Sequence, residues 1–293
     1  MTNDEIKKLF KKRDQLIKAL NDRLDNNIAE SQKKLLALFI EKFADKLQLD
    51  ENKQVLNNQY NRNLLLSVDK LFTDFSKINN PIILDTLLTS VGTLMEFNHN
   101  YYSNLESKAK LLPIKAKVFN SLKGWLGVED NIVKPNGYLD VLVKNDSVKN
   151  QIKNTVLKTV YGQEGWESTK KALSKLIAGD AENLGALQKY HRNFTYDLYS
   201  QIDRATGKAY ADDLGFEFAI YEGGLIETSR EFCKEHNGNV YHKSEIADFD
   251  PKVAKQPDYN PFTDLGGYGC RHHLNWVPTA LARALRPDID KFL

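Results

Sequence analysis

Apolar residues recur every three or four positions over most of the first half of the chain. Between residue 5 and about residue 48, Leu16, Leu20, Leu24 and Ile28 fall on one side. Leu35, Leu36, Phe39, Ile40, Phe43 and Leu47 continue the stripe, with Lys, Asp and Glu filling the other face. That is the period of an amphipathic helix, and it predicts one or two long helices here. A polar stretch, Leu49 to Asn58, interrupts the pattern. A second helix is predicted over residues 59–77 from Leu64, Leu65, Val68, Leu71, Phe72 and Phe75. Asn79-Asn80-Pro81 reads as a stop, with the proline in the first turn of a third helix reaching about Leu111. Ile83, Leu84, Leu87, Leu88, Val91, Leu94, Met95 and Phe97 give that helix its apolar face. Long amphipathic helices with short connections are expected to pack antiparallel as a bundle.

From Leu112 to Asp180 the pattern is cut into shorter pieces by Gly124, Gly127, Pro135, Gly137, Gly162 and Gly165. Tyr138 to Val143 (YLDVLV) fits either a short strand or a helical turn. Residues 146–161 read as a helix with Val148, Ile152, Val156 and Val160 on one face, and residues 168–177 as another. Gly179-Asp180 is a break. One long helix is predicted from Asn183 to Leu214, stopped by Gly215. Phe216 to Tyr221 (FEFAIY) alternates like a strand. Thr228 or Ser229 is expected to cap a short helix carrying Arg230, Phe232 and Cys233. Asn237-Gly238 is a tight-turn dipeptide leading into a strand at Asn239 to His242. A helical turn at Ser244 to Ile246, a loop from Asp248 to Pro261 and a short helix at Thr279 to Arg286 complete the chain. The expected fold is mostly α with a small α+β C-terminal domain. It divides into a helical bundle and interaction region at residues 1–111, a mainly helical connector at 112–182 and the α+β domain at 183–293.

Composition narrows the classes. The chain has 293 residues and a net charge of +2, so no global basic field advertises nucleic acid. Local basic patches do stand out at Lys7, Lys8, Lys11, Lys12 and Arg13, at Lys108 to Lys117 and at Lys144 to Lys158. The first of these is expected to be a solvated helix face, with a phosphate-contacting arm as the alternative. Two cysteines do not make a disulfide-rich secreted scaffold. The N-terminus has no apolar signal core, and no apolar run is long enough to span a bilayer. Synthesis and assembly in a reducing cytoplasm are expected, without a membrane at that stage. There is no internal repeat, Walker loop, dinucleotide fingerprint or HExxH.

The chemically versatile side chains are concentrated between Gly223 and Pro278. Both cysteines, Cys233 and Cys270, lie there with His236, His242, His272 and His273, four of the six histidines, and with Gly266, Gly267 and Gly269. The two segments that carry them are expected to meet in the fold. Three readings follow. Cys233, His236, Cys270 and His272 supply the thiolate and imidazole ligands of a tetrahedral structural zinc site. Alternatively the two cysteines pack as small buried hydrophobes, free or closing one disulfide outside a reducing cell. A third reading builds a metal-dependent nuclease or hydrolase on His272, His273 and Asn275. Arg230 and Arg271 beside the cluster are expected to be structural forks, pairing with carboxylates such as Asp264 or Glu245 or with backbone carbonyls. Gly266, Gly267 and Gly269 are expected to let backbone approach a partner closely and to allow positive φ.

The same residues carry a family resemblance. The order Thr228-Ser229-Arg230-x-x-Cys233, Asn237-Gly238, Val240-Tyr241, Glu245-Ile246 and Gly266-Gly267-Tyr268-x-Cys270-Arg271-His272 resembles the C-terminal domain of phage minor head proteins, the Mu F-like head morphogenesis family. Tyr196-Asp197, Gln201 and Arg204 followed by Tyr221-x-Gly223-Gly224 add to it. Gly269 stands where the family often has Asn, and His272 replaces the second cysteine of the Cys-Arg-Cys variant. The resemblance spans residues 185–278. It implies a structural virion component of several copies at or near the portal vertex, in contact with the portal protein, other virion proteins and genomic DNA, assembled in the host cytoplasm. It implies no catalytic site. A zinc-binding interaction module is the other non-enzymatic reading.

Overall fold

A computed structural model of the chain describes residues 3–130, 132–144, 146–252 and 257–292, without the side chains of residues 3, 4, 6, 108 and 193. Part of the expected 248–261 loop and the side chain of Lys108 therefore lie outside the described residues. The protein is mostly helical, with long helices at the start and two small sheets. Helix α1 (Asn3–Lys42) is followed by a single 3-10 turn, then α2 (Gln59–Leu65), α3 (Ser67–Ser103) and α4 (Lys108–Trp125). Strands β1 (Val128–Glu129) and β2 (Ile132–Val133) form one small sheet. Helices α5 (Tyr138–Lys144), α6 (Asp146–Gly162), α7 (Trp166–Ala178) and α8 (Ala186–Leu214) come next. The last stretch holds β3 (Phe218–Gly223), α9 (Glu231–His236), β4 (Val240–His242), α10 (Lys243–Ala247), β5 (His272–Val277) and α11 (Thr279–Leu285).

The described residues form two compact units. One takes Met1–Asn21, Leu88–Ile132 and Thr195–Leu293; the other takes Asp22–Leu87 and Val133–Phe194. A division of the sequence at 111 and 182 does not follow these units, because α1, α3 and α8 each contribute residues to both. In the second unit Leu24, Ile28, Leu35, Phe39, Phe75, Leu87, Val148, Ile152, Val156 and Val160 are buried, the positions the helical period marks. The polar break after α1 is an ordered loop rather than a free linker. Buried Asn61 donates from Nδ2 to the carbonyls of Gln48 and Leu56 at 2.8 and 2.7 Å and accepts from the Gln48 amide at 2.9 Å.

One expectation about the helices is overturned, and one alternative left open is settled. Asn79-Asn80-Pro81 does not end a helix: Pro81 lies inside α3. A proline there removes one backbone bond and costs about 3 kcal/mol. Burial of Phe75, Ile83 and Leu87 on both sides outweighs it. The helix break falls instead between α2 and α3 at Leu66. Tyr138 to Val143 resolves as helix, because Leu139, Leu142 and Val143 are the buried members and their spacing is helical.

The unit that holds both termini is built on a three-stranded antiparallel sheet in the order β4-β3-β5. Its register sets Ile220 against Asn275, Glu222 against His273 and Gly223 against His272. Every residue of β5 is buried. A strand covered on both faces loses the alternation that betrays a half-exposed one, so the sequence pattern gave no sign of β5. Gly223 is needed at the sheet's end: a Cβ there would sit 2.6 Å from the Arg271 carbonyl oxygen. The cap of α9 is Arg230, not Thr228 or Ser229. The Ser229 hydroxyl is turned the other way, accepting from the Ile226 amide at 2.8 Å.

Candidate metal centre

Helix α9 and the loop before β5 meet, as the concentration of rare side chains in those segments led us to expect. Cys233 Sγ lies 3.9 Å from Cys270 Sγ, and Cys270 Sγ lies 3.8 Å from His272 Nδ1. One ligand atom from each of these residues falls within 4.8 Å of the other two, and all three residues are buried. This group can hold a metal ion. Tyr221 on β3 points its hydroxyl at both sulphurs, 3.6 Å from Cys233 and 3.8 Å from Cys270.

His236, the fourth ligand of the sequence reading, is not in the group. Its Nδ1 contacts the carbonyl of Phe232 at 2.7 Å, one turn back on α9. Its ring is stacked on Phe232 and Tyr241 and packed edge-on against Phe249. These contacts hold His236 in an aromatic cluster, although the x2 spacing leaves it near Cys233 on the helix surface. His242 serves elsewhere too, forming a capping box with Glu245 at the start of α10.

Loop 263–271 is held from two sides. Arg230 donates to the carbonyls of Gly266 and Tyr268 at 2.9 and 2.5 Å, so its partners are backbone oxygens. Buried Arg204 on α8 donates to the carbonyls of Thr263, Cys270 and His272 at 2.6, 2.6 and 2.8 Å. One turn earlier Gln201 holds Asp264 at 2.8 Å, and Asp197 accepts the Gly269 amide at 2.7 Å. Positions 197, 201 and 204 share one helix face, and all three grip the same loop. Arg271 lies over the ring of Tyr196. Gly267 and Gly269 take the left-handed backbone, φ 81° and 68°, that their turns require.

Gly266 is fixed by the thiols themselves. A Cβ at that position would stand 2.5 Å from Cys233 Sγ and 3.2 Å from Cys270 Sγ. Gly266→Ala is therefore expected to push the sulphurs apart and cost about 1–3 kcal/mol by overpacking. Denaturant unfolding of the reduced protein measures it, and wild-type stability in that variant would mean that the contact relaxes freely.

The two thiols of the pair shift in opposite directions. The hydrogen bond between them lowers Cys270, against the opposing effect of burial and with help from His272 and Arg204. The same hydrogen bond, with burial, raises Cys233. Cys270 is the sulphur that carries negative charge first.

β5 splits the histidine pair by the alternation of a strand. His272 faces the thiols, while His273 and Asn275 join a second buried constellation. There His273 Nδ1 lies 2.8 Å from Asp203 Oδ2 and its Nε2 lies 3.5 Å from Asp14. Arg13 pairs with Asp203 at 3.4 Å and donates to Asn275 Oδ1. Asn98 donates to Asp203 at 2.7 Å. Burial alone would raise the Asp203 carboxyl, but Arg13 and His273 hold it well below the usual carboxylate range. His272, His273 and Asn275 thus do not converge on one point. Arg13 is only 2% exposed, so the expected solvated face ends at Lys12. Charge patterning did not distinguish Arg13 from the four lysines before it; its partners come from α3, α8 and β5.

Comparison of the chain with protein-family models, curated proteins and solved structures finds no match.

Proposed function

We propose that this chain is a minor head protein of a tailed phage: a structural virion component at or near the portal vertex that assists head assembly and DNA packaging or ejection. The observation that carries this reading is the use made of the family-like residues. Asp197, Gln201, Arg204, Arg230, Cys233, Gly266, Cys270 and His272 all build or brace one buried loop junction. A scaffold role accounts for each of them without a substrate. Identification of the chain by mass spectrometry in purified particles tests the proposal; particles that package DNA normally without it contradict the role.

The stapling ion is zinc in this reading, held by Cys233, Cys270 and His272. Zinc bonds to thiolate at about 2.3 Å and to imidazole or oxygen at about 2.1 Å, so a tetrahedral centre sets two sulphurs about 3.8 Å apart and sulphur and nitrogen about 3.6 Å apart. The separations of 3.9 and 3.8 Å fit that requirement. The ion supplies cross-linking here: it ties α9 to the segment entering β5.

The surface for an anionic partner is the start of α1. Most of the described lysines of the other two patches are paired: Lys110, Lys115 and Lys117 with Glu106, Glu96 and Asp213, and Lys144, Lys149 and Lys153 with Asp140, Asp146 and Asp69, while Lys158 stands exposed. Lys7, Lys8, Lys11 and Lys12 stand exposed. Changing these four to Glu, with Arg13 kept, is expected to weaken association with duplex DNA or portal protein by tenfold or more at low salt and to spare the fold. Unchanged binding in a salt-titrated assay would remove the assignment.

A further inference from the structure

Two cysteines and one histidine leave a tetrahedral centre one ligand short. The other polar side chains around it are committed: Arg204 and Arg230 to carbonyl oxygens, His236 to Phe232. Among the described residues, the polar group that faces both sulphurs is the Tyr221 hydroxyl. It is nearly equidistant from the two sulphurs, at 3.6 and 3.8 Å, as a shared vertex is. The sulphurs stand 3.9 Å apart, and the histidine nitrogen 3.8 Å from Cys270. Zinc geometry calls for about 3.6 Å between a sulphur ligand and an oxygen ligand, so four edges of the tetrahedron are already in place.

The ring is not free to swing away. Tyr221 is fully buried, stacked on His272 with centroids 4.9 Å apart and met edge-on by Phe232 and Phe249. A water ligand would have to displace it.

We propose that Tyr221 is the fourth ligand, so that the site is a closed Cys233, Cys270, His272 and Tyr221 centre rather than one with an open position. The inference rests on the zinc reading above. Two thiolates and a neutral phenol around a divalent ion carry no net charge, which suits a place shut off from water. Any proton still held by the thiol pair leaves to solvent when the ion enters.

The test uses the full chain with both cysteines reduced. Tyr221→Phe keeps the ring and removes only the oxygen. It is expected to stay folded by circular dichroism, to bind zinc at least about tenfold more weakly in chelator competition, and to change the visible ligand-field bands of the cobalt(II)-loaded protein. A Tyr221→Phe chain with wild-type zinc affinity and an unchanged cobalt spectrum overturns Tyr221 as a ligand and leaves the other three standing. A reduced wild-type chain that takes up neither zinc nor cobalt overturns both readings. Zinc-edge X-ray absorption of the wild type needs no variant: two sulphurs and two light ligands are expected, and two sulphurs with one light ligand contradict the closed centre.

Discussion

Arg13→Met is expected to destabilise the protein by about 3–5 kcal/mol, the scale for stranding one partner of a buried ion pair. The carboxylate left behind, Asp203, is 2% exposed and would keep only His273 and Asn98. The same network gives a pH dependence with a definite sign. Asp203 titrates lower in the folded protein than in the unfolded chain. Below the ordinary carboxylate range, near pH 4, the unfolded chain therefore binds the extra proton first. Stability from Asp203 is full above that range and drains as the pH falls through the folded value. Denaturant midpoints measured from pH 7 downward check it: wild type should lose stability in acid more steeply than Asp203→Asn. Parallel slopes would show that the pair carries no such coupling. Because Arg13 and Asp14 come from the start of α1 and their partners from α8 and β5, a chain lacking Met1–Asn21 should also lose stability in its C-terminal sheet.

The second large effect concerns the proposed zinc. Cys233→Ser removes one of two sulphur ligands and is expected to lower stability by a few kcal/mol, since metal-binding energy is folding energy where the site forms only in the folded chain. Chelation of the wild type should do the same. With free zinc at a thousandfold excess over Kd the ion contributes about 4 kcal/mol, and stripping it lowers Tm by several degrees. The two treatments should not add: a chelator should leave Cys233→Ser unmoved. If the cysteines only pack, Cys233→Ser costs about 1 kcal/mol and the chelator has no effect on either protein.

The helices were legible because their apolar faces are one-sided. Val148, Ile152, Val156 and Val160 lie buried on α6 as their spacing requires. β5 was not legible, because burial on both faces erases its alternation, and neither was the run of α3 through Pro81, where tertiary burial outweighs a local stop signal. At the candidate site, Cys233, Cys270 and His272 could be found from residue type alone, since the chain holds few such side chains. His236 could not be excluded without the turn of α9 that points it at Phe232 and Tyr241. Tyr221 gave only a weak sign, through its place in the family-like Tyr-x-Gly-Gly segment, because a tyrosine in an aromatic strand otherwise reads as core. Arg204 gave a weak one, through its place in the family-like helix, but its three carbonyl partners come from a loop far along the chain.

The most direct measurement is native mass spectrometry of the reduced, full-length protein purified without a chelator or metal resin. One zinc ion per chain is expected, lost in Cys233→Ser and in Cys270→Ser. A metal-free wild-type mass, with both thiols alkylated rapidly under native conditions, would contradict a metal-stapled junction between α9 and β5.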